Sequence, residues 1–95
     1  MKPLFVPLKT QYFNAFKSGI KKTEYRLYGP RWHEGTVIKG RPVTLSKGYS
    51  GPRLYGVVVR MRKIKNTITD LYPYGAILCA IDITNISKRC RQPVA

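Results

Sequence analysis

Lys21, Glu24 and Arg26 stand close together in a chain that has only 4 acidic residues against 18 lysines and arginines. A carboxylate set between an ammonium and a guanidinium can fix the geometry of both cations. It can also accept a hydrogen bond from an exocyclic amino group of a base. The guanidinium adds a planar fork that bonds two phosphate oxygens at once. Lys21 becomes a nucleophile or base if burial and neighbouring cations lower its pKa. Lys21 and Glu24 are therefore the candidate catalytic residues, and with Lys22 and Arg26 they form the centre of a candidate polar cleft. The alternative is a solvated ion-pair patch on a strand edge, worth about 0–1 kcal/mol per pair.

Aromatic residues alternate with cations over the rest of the chain. Tyr25, Tyr28, Tyr49, Tyr55, Tyr72 and Tyr74 are interleaved with Arg26, Arg31, Arg53 and nearby lysines. Stacking of a base on such a ring is worth about 1–3 kcal/mol, and a flanking cation adds attraction for phosphate. Tyr25 and Tyr55 are expected to cap the core with their hydroxyls in water. Tyr28, Tyr49 and Tyr74, at or beside turns, are open to stacking. Trp32 is either a core anchor or a stacking platform. Arg60 and Arg62, with Lys63 and Lys65, form either a solvated strand face or a stripe that contacts a phosphate backbone. The predicted nucleic-acid contacts are thus Lys21, Lys22, Glu24, Arg26, Tyr28, Arg31, Trp32, Tyr49, Arg53, Arg60 and Arg62. His33 has only Glu34 beside it in sequence and reads as a loop histidine. The run Lys47-Gly48-Tyr49-Ser50-Gly51 is no P-loop, because its lysine precedes the glycines. It still offers backbone N–H groups to a phosphate.

Bulk composition narrows the partner. The formal charge is +14 over 95 residues, and a charge of that size favours a polyanion. Nucleic acid, RNA above all, is the expected partner; an acidic protein or a ribonucleoprotein is the other possibility. No stretch is long and apolar enough for a transmembrane helix, and no strongly basic amphipathic helix points to a membrane surface. The apolar start is broken by Pro3 and Pro7, which argues against a signal peptide. Cys79 lies in an apolar run and Cys90 in a basic tail. With one histidine they make no four-ligand zinc site, so neither a metal nor a cofactor is expected. Unpaired cysteines suit a reducing cytoplasm.

These residues need elements to hold them. One domain is expected over 1–88, with a basic tail at 89–95. Leu4, Val6 and their neighbours predict a first strand. Thr10 is placed to cap a helix over 11–18, with Phe13, Phe16 and Ile20 on one stripe and Gly19 closing it. Residues 23–28 alternate as a strand, with Glu24 and Arg26 on the same face. Short strands are predicted at 36–38 and 43–45. A longer one covers 54–64, with Tyr55, Val57, Val59 and Met61 on one face. Residues 66–75 read as irregular, with one helical turn near Asp70. The last strand covers 76–86, with Ile77, Cys79, Ile81 and Ile83 on one face. One helix with five or six mostly antiparallel strands predicts an α+β fold: a small β-barrel whose closure removes exposed edges.

The order strand, helix, Ser18-Gly19, then Lys21, Glu24 and Arg26 resembles the ASCH domain of the PUA-like superfamily, whose motif reads roughly Gly-x-Lys-x-x-Glu-x-Arg. Trp32, the run Gly40-Arg41-Pro42-Val43-Thr44-Leu45 and the strand around Gly56-Val57-Val58-Val59 extend the resemblance over about residues 4 to 86. It implies a PUA-like barrel and binding of RNA or DNA. Some similar bacterial proteins are ribonucleases, or amidohydrolases acting on N4-acetylated cytidine. In that branch a lysine matching Lys21 acts with a threonine and a later glutamate. Here Glu24 holds the threonine's place, and the corresponding later strand carries Arg60-Met61-Arg62-Lys63. Thr23 is one residue off and so faces the other way.

The resulting expectation is a small cytoplasmic protein that binds RNA or a single strand, with a cleft for one nucleotide. The alternatives are a metal-independent RNA-directed hydrolase using Lys21, and a protein-binding accessory or viral inhibitor module.

Overall fold

Alternation alone makes the first apolar run a strand. In β1 (Leu4–Leu8) Leu4, Val6 and Leu8 are buried while Phe5 and Pro7 stay partly exposed. The structure is a computed structural model and describes residues 1–89; the rest of the expected basic tail, with Cys90, lies outside the described residues.

Helix α1 (Thr10–Ser18) follows at once and buries Phe13 and Phe16. Thr10 is its first helical residue, not its cap. Lys9 takes the extended cap conformation, and its carbonyl accepts from the N–H groups of Tyr12 and Phe13, each at 3.0 Å. Gly19 ends the helix at φ 83°, a conformation that only glycine adopts without strain. The helical phase stops there, so Ile20 is not on the apolar stripe but 85% exposed. The Lys21 N–H turns back to the Ala15 carbonyl at 3.1 Å, which directs Lys21 toward the helix it has just left.

Four more strands complete the sheet: β2 (Thr23–Leu27), β3 (Pro42–Lys47), β4 (Arg53–Lys65) and β5 (Ile77–Ser87). Their order is β1-β3-β4-β5-β2. β1 runs parallel to β3 and every other pairing is antiparallel. The sheet curls into a half-barrel rather than a closed barrel, with β1 and β2 as its edges. The predicted strand at 36–38 is a turn: Thr36 and Val37 donate to the His33 carbonyl, and only Val37 is buried. Residues 70 and 71 form a turn, not a helical turn.

Two predicted faces change. In β4 the buried residues are Leu54, Gly56 and Val58, while Val59 is exposed. Register shifts at Tyr55/Val57 and Val58/Arg60 then rotate the strand, so that Met61 also packs on the core. Gly56 is required here, because a Cβ would stand 2.7 Å from the Ile83 Cγ2 and 3.0 Å from the Thr84 carbonyl oxygen. In β5 the whole run Leu78, Cys79, Ala80 and Ile81 is buried, so both faces are covered; Ile77 is exposed. Burial pushes the Cys79 thiol up to about 11, which makes it an inert packing group. Among the described residues, no helix is long and apolar enough to cross a membrane.

Candidate functional site

The open side of the half-barrel, between its two edge strands, is spanned by one side chain. Arg26 of β2 donates from Nη2 to the Pro7 carbonyl of β1 at 2.6 Å. A proline suits this edge position, since it has no N–H to leave unpaired. The same guanidinium holds Glu24, with Nε at 3.0 Å and Nη2 at 2.8 Å, both on Oε2. Its Cζ lies 5.0 Å from the Trp32 ring centroid, and the Arg31 Cζ lies 5.4 Å from the same centroid. Trp32 is half-buried against the core, so it is an anchor that backs Arg26 rather than a free platform.

Lys21 completes the centre. Its Nζ lies 5.5 Å from the Tyr12 ring, 5.4 Å from Phe16 and 5.4 Å from Tyr25. Each such contact with a ring face is worth about 0.5–2 kcal/mol, depending on desolvation. The ammonium also faces Glu24 Oε1 at 3.6 Å. It makes no hydrogen bond among the described residues, so its N–H donors are unused. Glu24 is 8% exposed, and because Arg26 bonds only Oε2, Oε1 keeps room for a further donor. Tyr12, Lys21, Glu24, Tyr25 and Arg26 line a cavity of about 290 Å³ with Pro7, Leu8, Lys9, Leu71 and Tyr72. That is at the small end of ligand pockets. Glu24 is the one carboxylate in its wall.

The far wall comes from the loop at 66–76, and Asn66 ties that loop. Asn66 is 1% exposed. Its Nδ2 donates to the carbonyls of Thr69, Tyr72 and Pro73, and its Oδ1 accepts from the N–H groups of Ile68 and Thr69. The knot sets Tyr72 so that its hydroxyl donates to the Tyr25 carbonyl at 3.1 Å. Burial, with Glu24 nearby, raises the Tyr72 pKa against the opposing pull of Arg26.

The remaining predicted contacts fall elsewhere. Lys22 is exposed and lies with Lys17 and Asn85 along a separate groove. Tyr28 donates to Glu34 at 2.5 Å and carries the Lys63 ammonium 4.2 Å from its ring. That bond raises the Tyr28 pKa and lowers that of Glu34. His33 accepts from the Gly35 N–H through Nδ1, as an ordinary loop histidine does. Tyr49 lines another groove, and it and Arg53 both lie beside the Phe5 ring. In the loop after Lys47 three N–H groups are engaged within the chain: Lys47 donates to the Pro52 carbonyl, Gly48 to Leu8 and Gly51 to Lys47.

Arg60 and Arg62 are not bare cations. They share Asp82, which accepts from Arg60 Nε at 2.8 Å, from Arg62 at 2.9 and 3.0 Å, and from the Thr23 hydroxyl at 2.6 Å. Burial alone would raise the Asp82 pKa, but these bonds together take it from 3.8 down to about 2. A depressed folded-state pKa adds stability above the unfolded value, and that stability is lost as pH falls through the folded one. Asp82→Asn is therefore expected to lose about 1–2 kcal/mol at neutral pH. In urea titrations the gap from wild type should close between pH 3.8 and about 2; a gap constant over that range would refute the assignment.

Sequence reasoning passed over Tyr12, Phe16 and Tyr25 as the cage of Lys21. The available signal was the spacing of Tyr12 and Phe16, one helical turn apart just before Gly19. Nothing in the sequence marked the Pro7 carbonyl or Asn66. Among the described residues, no three His, Cys, Asp or Glu side chains group as metal ligands would. Compared with models of known protein families the chain matches none, and a search of curated proteins finds no match either.

Proposed function

We propose that the protein binds single-stranded nucleic acid, RNA above all, and takes one unstacked nucleotide into the cleft at Lys21, Glu24 and Arg26. One observation carries the reading: an ammonium with unused donors stands 3.6 Å from a carboxylate oxygen with spare acceptor capacity, within a wall of aromatic rings. A base edge presents that pairing in reverse, an acceptor beside an amino or imino donor. Arg26 reaches the same cavity, and its Nη1 has no partner among the described residues, so it can meet the attached phosphate. The formal charge of +14 supports a polyanionic ligand. The resemblance to the ASCH domain and its PUA-like barrel points the same way, and the half-barrel with one helix is compatible with it. A cytoplasmic site of action belongs to the same reading, since Cys79 is a free, buried thiol.

The test is a fluorescence titration of a labelled oligoribonucleotide at several salt concentrations. If about five cations meet phosphates, the log–log slope should be roughly −3 to −4. Binding that hardly responds to salt would sink the proposal. Lys21→Ala separates binding from catalysis. A binding site loses affinity in a graded way, whereas a hydrolase loses turnover and keeps most of its binding. Capture of an acidic protein that survives nuclease treatment would favour the protein-binding alternative.

A further inference from the structure

A second groove begins where the cleft ends. It is an open trough of about 730 Å³, and Pro7, Leu8, Lys9 and Arg26 belong to both walls. Beyond Arg26 it runs to Lys47, Gly48 and Tyr49. Its charged groups are Lys9, Arg26 and Lys47, and no carboxylate lines it. Neither Lys9 nor Lys47 enters an ion pair among the described residues, although the Lys47 Nζ also lies 5.4 Å from the Phe13 ring centroid. Two unpaired ammonium groups along a trough with no acid in it make a path for a negatively charged chain.

The groove ends on an exposed ring. Tyr49 is 77% exposed, yet it is not loose. Phe5 lies beside it with centroids 6.4 Å apart, and Arg53 stands 5.0 Å from the Phe5 ring while donating to the Tyr49 carbonyl at 3.2 Å. The Gly48 N–H fixes the turn to the end of β1 through the Leu8 carbonyl at 2.8 Å. A large aromatic face is thus held in water by groups behind it. That arrangement suits a stacked base and contributes little to the core.

We infer that the groove from Arg26 past Lys9 and Lys47 to Tyr49 is a second subsite, which holds the sugar-phosphate chain next to the nucleotide in the cleft and stacks a neighbouring base on Tyr49. The inference rests on the reading of the cleft as a nucleotide site and extends it. The ligand is then an oligonucleotide, not a free nucleotide, and Arg26 meets the phosphate between the two subsites. Duplex RNA fits poorly, because both bases must leave their stack.

The test compares two probes on the full chain by isothermal titration calorimetry: an equimolar mixture of the four ribonucleoside monophosphates, and a ribotetranucleotide of randomised sequence. Wild type should bind the tetranucleotide at least about tenfold more tightly, as expected from one added stack and its phosphates. Tyr49→Ala should remove most of that advantage. Lys47→Met, which keeps the chain packed on Phe13, should reduce the salt slope for the tetranucleotide by about 0.7. Tyr49 is exposed, so the variant keeps its fold, and a thermal melt checks this. If the tetranucleotide binds no better than the monophosphates, or Tyr49→Ala changes nothing, the second subsite is overturned and the cleft reading stands. If the tetranucleotide binds, needs Tyr49 and ignores Lys21→Ala, the groove stands and the cleft reading falls. If neither probe binds, both fall.

Discussion

Arg26→Lys is expected to cost about 2–3 kcal/mol of stability, a fall in Tm of roughly 10–20 °C for a domain of this size, although it conserves charge. The physical ground is geometry. Arg26 bonds Glu24 through Nε and pairs with it through Nη2, bonds the Pro7 carbonyl across the open side of the sheet, and stands 5.0 Å from the Trp32 ring centroid. A lysine ammonium is a single point at the end of a flexible stem and can meet only part of this set. It would leave either the edge carbonyl or the carboxylate short of donors in a site where Glu24 is 8% exposed. Urea denaturation followed by far-ultraviolet circular dichroism measures the loss. Arg31→Lys, an exposed change that also lies beside Trp32, should stay within about 0.5 kcal/mol. If the two variants behave alike, Arg26 does not join the two strands. Oligonucleotide affinity should fall with Arg26→Lys as well, because the same side chain forms the wall shared by both grooves.

Asn66→Asp changes few atoms and is expected to cost about 3–4 kcal/mol at neutral pH. Three carbonyl oxygens receive the Asn66 amide N–H groups, and an ionised carboxylate would turn an acceptor toward them. The pH dependence has its own sign. The introduced carboxyl is held among carbonyls and buried, so its folded pKa lies above the ordinary value. Its penalty is present above that folded pKa and shrinks as pH falls through it. Asp82 behaves in the opposite way, since its contribution disappears on acidification. Asn66→Ala, which brings no charge, should cost about 2–3 kcal/mol and show no such recovery in acid. An Asn66→Asp protein that is as stable as wild type at pH 7 would show that the loop needs no donor at this position. Faster amide exchange at Ile68 and Thr69 would report the loosened cleft wall directly.

The centre of the site was legible because it depends on short-range rules. Residues two apart on a strand share a face, so Glu24 and Arg26 had to lie together. Gly19 after Phe13 and Phe16 marked where the helix stops. What escaped depends on partners distant in sequence. Asp82 lies opposite Thr23 and Arg60 only because β5 is placed between β2 and β4. The Lys21 cage needs Tyr25 from a strand and Tyr12 and Phe16 from the helix. In β4 alternation holds up to Val58, but the buried face carries Leu54 and Gly56 rather than Tyr55 and Val57, and a register shift beyond Val58 brings Met61 to the core; in β5 it fails because Leu78 and Ala80 are covered as fully as Cys79 and Ile81. Closure of the barrel was a reasonable expectation for so many β-forming residues. The half-barrel leaves its two edges to a side chain instead.

The strand order also governs when the protein becomes competent during its synthesis. β1 waits for β3, and β2 waits for β5, the last strand of the sheet. The cleft draws on β1, the helix, β2 and the 66–76 loop, so it cannot exist on a partly emerged chain. A nascent polypeptide stalled before β5 leaves the ribosome would carry its basic charge without the cleft. The cleft is completed in a single step, with the final hairpin.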